Sequence, residues 1–96
     1  MPAKPELQLD LSHVETREAL HSVLFEKLAL PEYYGRNWDA FWDVINDYPI
    51  LPNRLVIRGW REFGKRLPRE AELMHECLAE FAKENPDYPF AAEFRR

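Results

Sequence analysis

Three aspartates, Asp39, Asp43 and Asp47, recur at intervals of four residues between Tyr33 and Tyr48, a spacing that aligns them along one stripe if the segment is helical. Like charges so placed oppose helix formation by roughly 0.2 to 0.5 kcal/mol per pair, and only Asp39 lies where the helix dipole offsets the repulsion. Such a stripe is either a solvated face or a set of carboxylates displayed to a cationic partner. Tyr33, Tyr34 and Gly35 stand directly before it. Aromatics beside charges characterise interface centres, although ordinary core packing would use the same two tyrosines. An acid–base site built on His13, His21 or His75 is the enzymatic alternative. His21 falls within an expected helix and His75 beside Glu76, both ordinary surface settings, and no glycine-rich phosphate loop, nucleophile elbow or metal-ligand spacing accompanies them. The single cysteine, Cys77, has neighbours that suit a small core residue better than a nucleophile. The chain is predicted not to be an enzyme, and no cofactor or metal is expected.

The stripe must be held by a scaffold, and the order of elements is readable. Leu7, Leu9 and Leu11 alternate with Gln8 and Asp10, the period-2 pattern of a strand with one buried face. After a cap at Ser12, with Glu15 in the first turn, the apolar residues Val14, Ala19, Leu20, Val23, Leu24 and Leu28 follow helical spacing up to Pro31. A second helix is predicted from about Gly35 to Asp47, its inner stripe Trp38, Phe41, Trp42 and Ile45, stopped by Pro49 and Pro52. Leu55, Val56 and Ile57 read as a central strand covered on both faces. Gly59 and Gly64 bracket a short helical turn carrying Trp60 and Phe63. A long helix from Pro68 to just before Pro86 uses Ala71, Met74, Leu78, Phe81 and Ala82 as its inner stripe, and Tyr88 to Phe94 forms a third strand. This order predicts an α/β fold with a small, mainly parallel sheet. Tyr48–Pro49 is a candidate cis peptide.

Composition narrows the classes further. A chain of 96 residues, 46% hydrophobic and 31% charged, is predicted to form one soluble domain over 1–96. The start, Met1 to Pro5, shows no apolar export signal, no run is long enough to span a membrane, and one cysteine suits a reducing cytoplasm. The net charge of −4 disfavours uniform binding to a phosphate backbone and favours cationic partners. The charge is uneven: Arg54 to Arg69 carries six basic residues against Glu62, a net of +5, whereas Tyr33–Tyr48 sums to −2 and Glu70–Arg96 to −4. That basic segment, with Trp60 and Phe63 interleaved, supports an alternative reading as a nucleic-acid-binding module. Otherwise its arginines neutralise the acidic helices, or Arg61 plays a structural part.

The block Leu28, Ala29, Leu30, Pro31, Glu32, Tyr33, Tyr34, Gly35, followed by Asn37, Asp39, Ala40, Trp42 and Asp43, resembles the barstar family of intracellular inhibitors of barnase-type ribonucleases. Trp60, Arg61 and Phe63 resemble a second, shorter family segment. The resemblance implies a three-stranded parallel sheet packed against three to four helices. It also implies 1:1 inhibition of a secreted or toxin-domain ribonuclease by plugging its basic active site. Carried over by position, Asp43 takes the place of a substrate phosphate, Asp39 supports it, Tyr33 packs on the enzyme's histidine, Gly35 and Asn37 belong to the inserted loop, Trp42 adds apolar area and Glu80 is an outlying acidic contact. Arg36 departs from the family, where the barnase inhibitor carries an acid, and implies an acidic residue opposite it on a different cognate enzyme. The connector from Tyr48 to Arg58 is also longer, and Val44, Ile45, Asn46 and Asp47 replace the family's turn after Asp43.

Overall fold

A computed structural model describes residues 5–96; Met1 to Lys4, part of the stretch read as lacking an export signal, lie outside the described residues. Strands β1 (Glu6–Asp10), β2 (Arg54–Arg58) and β3 (Ala91–Phe94) form one sheet in the order β1-β2-β3, every pair parallel. Leu55 sits opposite Leu7 on one side and Ala92 on the other. Parallel neighbours require crossover connections, and these are helical. Helices α1 (Arg17–Lys27) and α2 (Trp38–Asp47) join β1 to β2, while α3 (Trp60–Arg66) and α4 (Pro68–Glu84) join β2 to β3. The expected small α/β architecture is therefore the observed one. No helix among the described residues is long and apolar enough to cross a membrane.

The central strand is covered on both faces, with Leu55, Val56 and Ile57 fully buried. Against it α1 buries Leu20, His21 and Leu24, α2 buries Phe41, Val44 and Ile45, and α4 buries Ala71, Met74, Leu78 and Phe81. Ala82, assigned to the inner stripe, is exposed, because the stripe passes through Leu78 and Phe81 and leaves the next position at its rim. Helix α1 starts later than expected. Thr16, in extended backbone, accepts from the Ala19 N–H at 3.0 Å and is the cap, with Glu18 as the acid of the first turn. Ser12 instead donates its N–H and hydroxyl to Asp10, which holds that carboxyl below its usual range. Gly64 lies inside α3 and does not end it.

Two arginines and a glycine fix the connections and the sheet. Arg66 on α3 donates to the carbonyls of Leu11, Ser12 and Val14, satisfying the loop after β1. Gly59, at φ 72°, admits that same loop: a Cβ there would lie 2.6 Å from the Ser12 nitrogen. Arg54 on the middle strand pairs with Glu6 on β1 and Glu93 on β3. The Tyr48–Pro49 peptide is trans, as are all peptide bonds among the described residues.

His21 is fully buried, where a surface setting was expected. It follows Leu20 and precedes Leu24 by three, so it shares their inward face. Its Nδ1 lies 2.5 Å from the Tyr34 hydroxyl, and its ring meets Trp38 edge-on with centroids 4.9 Å apart. Donation from the phenol to Nδ1 leaves only the Nε2 proton without a partner; the opposite arrangement would strand the phenol proton as well. Burial holds the imidazole pKa below 6.5, reinforced by Arg17 and Arg36 and opposed by Glu70 and Glu18. The folded state thus refuses a proton that the unfolded chain accepts. Stability from this group is complete above pH 6.5 and is lost as pH falls through the depressed folded value. Urea midpoints should drop as pH is lowered below 6.5, and His21→Leu should lose that component of the slope; equal midpoints on both sides of 6.5 would remove the buried imidazole from this role.

Candidate functional site

The site is set by how α2 begins. Arg36 has φ 56°, a left-handed conformation that no helix continues, and Asn37 is extended at φ −144° and ψ 170°. The helix therefore starts at Trp38, three residues after the expected Gly35. Asn37 Oδ1 accepts from the Ala40 N–H at 2.7 Å, and its Nδ2 donates to the Gly35 carbonyl at 3.2 Å. A Cβ on Gly35 would come within 3.3 Å of that same Nδ2, so the glycine leaves room for the cap. Arg36 reaches back to α1, donating to Ser22 Oγ at 2.8 Å with its guanidinium 5.2 Å from the Phe25 ring centre. Trp38 fixes the other flank by donating from Nε1 to Glu70 at 2.9 Å.

With Phe41, Val44 and Ile45 inward, the opposite side of α2 faces solvent. Asp39, Asp43 and Asp47 are all exposed there, and none makes an ion pair or side-chain hydrogen bond among the described residues. Val44 takes the inner position, and Trp38 and Trp42, assigned to the core stripe, are only half-buried on the flank. Trp42 and Glu80 line opposite sides of a groove of about 590 Å³ between α2 and α4. Glu80 is exposed, and its hydrogen bond to Glu84 raises the Glu84 carboxyl above its usual range.

The two tyrosines before the helix divide. Tyr34 is buried against His21 and its phenol is pushed up, chiefly by burial. Tyr33 is 69% exposed and donates from its hydroxyl to that of Tyr48 at 2.8 Å, which raises the Tyr33 phenol above its usual value. These two are the exposed large hydrophobic residues of the described chain, Tyr48 at 48%. Sequence reading missed Tyr48 as a site residue. Periodicity cannot pair a loop residue with one fifteen positions later, and the only signal available was an aromatic directly after Asp47.

The basic segment does not neutralise α2. Arg54 pairs within the sheet, Arg69 pairs with Glu72 on its own helix, and Arg66 serves carbonyls. Arg61 is exposed and has no side-chain partner among the described residues, so the structural part falls to Arg66. Arg58 and Lys65 are likewise exposed. His13 and His75 are at the surface, and burial pushes the Cys77 thiol up to about 12, which suits neither a nucleophile nor a thiolate ligand. No group of three potential metal-ligating side chains occurs among the described residues.

A small parallel sheet flanked by helices thus turns an acidic helix face outward beside an exposed aromatic residue. Residues 5–95 match the sequence model of the family described as Barstar (barnase inhibitor), so the chain belongs to the barstar family. It is also similar to the Bacillus subtilis (strain 168) protein named "Putative ribonuclease inhibitor YrdF". The two are 35% identical over 79 residues, covering 82% of this chain and 87% of the relative.

Asn37→Ala should lower stability by about 1 kcal/mol, because the Ala40 N–H loses its acceptor. Chemical denaturation measures it, and Asn37→Asp, which keeps an acceptor oxygen, should restore most of the loss.

Proposed function

We propose that this chain, acting as one domain over 1–96 in the cytoplasm, inhibits a barnase-type or toxin-domain ribonuclease with a basic active site, forming a 1:1 complex. The single observation that carries the reading is the outward, internally unpaired placement of Asp39 and Asp43 on α2 in a member of the barstar family. A similar protein named as a ribonuclease inhibitor supports it. A ribonuclease must hold a phosphate-like transition state with cationic donors, and a fixed pair of carboxylates satisfies the same donors without being cleaved. In this reading Asp43 is the central anion and Asp39 its support. Tyr33 lies on the enzyme's histidine, Trp42 contributes apolar area and Glu80 is an outlying contact. Gly35 and Asn37 act through the shape they give the inserted loop, since the Asn37 side chain is already committed to Ala40 and Gly35. The chain catalyses nothing; it occupies a site.

The aspartates suit this role because no side chain among the described residues competes for them. An anion locked in an internal ion pair would have to break that pair before engaging an enzyme, and the partner left behind would be stranded. Here the desolvation cost falls on binding, where the enzyme's cations offset it.

Titration of a cognate barnase-type or toxin-domain ribonuclease with the purified chain should show a stoichiometric end point in its activity. Asp43→Ala should weaken inhibition at least about thirtyfold, or ~2 kcal/mol, with an unchanged circular dichroism spectrum, since it leaves enzyme cations buried and unpaired. Barnase and barstar are themselves a reference case for magnitudes of this kind. Inhibition indifferent to Asp43→Ala would remove the phosphate-mimic role. Association should also slow as salt rises, because fields beyond contact are screened within about 10 Å at 0.1 M; stopped-flow rates that do not change with salt would exclude electrostatic steering.

A further inference from the structure

Strand β3 is an edge of the sheet, and its outer side has no backbone partner among the described residues. Ala91 and Arg95 donate their N–H groups to Asn53 and Ile57, so by alternation Ala92 and Phe94 turn their peptide groups away from β2. The side chains divide in step. Glu93 and Arg95 lie on the charged face of the sheet, where Arg95 donates to Glu93 along the strand and Arg54 donates to Glu93 across it. Ala92 and Phe94 lie on the helix side, in the wall of a cleft of about 200 Å³ closed on its other side by α4, where His75, Ala79 and Ala82 are exposed. Phe94 also packs on Trp60 and His75, with ring centres 4.6 and 5.0 Å away. An open peptide edge and a largely apolar cleft therefore share one margin of the molecule.

We infer that β3 pairs antiparallel with β3 of a second copy of this chain, about a two-fold axis at Phe94, joining two three-stranded sheets into one. In that arrangement the outward peptide groups of Phe94 bond to those of its counterpart, and Glu93 stands opposite Arg95 of the second copy, twice by symmetry. Side chains so opposed lie about 4.5 to 5.5 Å apart at Cβ, so every one of these charges meets its opposite. Shifting the axis to Glu93 or Arg95 sets like charges face to face, and shifting it to Ala92 leaves both without a partner across the edge. Charge therefore selects one register. On the helix side the two Phe94 rings meet across the axis and extend the packing that begins at Trp60. Strand β1, the other edge, carries Glu6 and Asp10 and no cation, so self-pairing there lacks this match. An apolar peptide from another protein would use the cleft and leave Glu93 and Arg95 unmatched. The pairing uses no residue of α2 and stands apart from the proposed function. With only four residues in the strand the interface is small, of the weak and reversible class.

Sedimentation velocity of the full chain, from micromolar to millimolar concentration, should show a reversible monomer–dimer equilibrium. Over the same range, hydrogen exchange at the Phe94 amide should slow, while that at Arg95, bonded to Ile57 in either state, should change far less. Arg95→Glu opposes acid to acid at both contacts and Glu93→Arg opposes base to base, so each should weaken self-association at least about tenfold. Mixed in equal amounts, the two variants again set opposite charges face to face, and a heterodimer should form with close to the original affinity. Circular dichroism checks the fold of each, and a variant that had merely unfolded would gain nothing from the mixture. A chain that stays monomeric at every concentration, or a dimer indifferent to both substitutions, overturns the inference. So does a mixture of folded variants that fails to associate. A dimer whose Phe94 amide exchanges as fast as in the monomer overturns pairing through this edge without recourse to any variant.

Discussion

The rotation of one helix about its own axis decides what this molecule shows to the outside. With about 100° between successive residues, Phe41, Val44 and Ile45 fall within one narrow sector of α2, and Asp39, Asp43 and Asp47 fall in the opposite one. Burial of the three apolar side chains fixes the rotation, and the display of the three carboxylates follows from it. No inward hydrogen bond is needed to aim the aspartates. The like-charge repulsion along the stripe, a few tenths of a kcal/mol per pair, is small beside the roughly 1.5 to 3 kcal/mol gained on burying each of the large apolar side chains. Packing wins, and the repulsion persists as a surface property available to a partner.

The loop before α2 is joined to the core by the pair His21 and Tyr34. Tyr34 adjoins exposed Tyr33, and the imidazole it contacts lies against Trp38, the first residue of the helix. Trp38 in turn reaches Glu70 at the start of α4, and Arg17 on α1 approaches the same carboxylate at 3.7 Å. One buried imidazole thus sits where α1, the loop, α2 and α4 converge. The acidic surface is carried on a rigid base at its start and on a more open one, around Tyr48, at its end.

Much of this was legible in the residues themselves. The strands were readable because the alternation of Leu7 and Leu9 and the unbroken Leu55–Ile57 run report directly on burial of one face or two. The carboxylate stripe was readable because four-residue spacing is a property of any helix. What stayed hidden depends on which of two equivalent assignments tertiary packing selects. Trp42 and Val44 both fit an apolar face of α2, and only the position of α4 decides that Val44 goes in and Trp42 to the rim. His21 looks like a surface residue until Tyr34, thirteen positions away, supplies a donor. The late start of α2 turns on Arg36 adopting a left-handed backbone, for which an arginine gives no cue.

Arg54 carries a consequence for how the chain finds its sheet. Its contacts to Glu6 and Glu93 span all three strands from the middle one, and each such exposed ion pair contributes little to stability. Their value lies in alignment. Sliding β1 or β3 by one residue would set Arg54 across from Leu7 or Ala92, break the corresponding pair and turn inward-facing side chains toward water. A single guanidinium at the mouth of the sheet therefore works as a registration pin, adding the loss of its ion pairs to the loss of burial that a slipped pairing already carries.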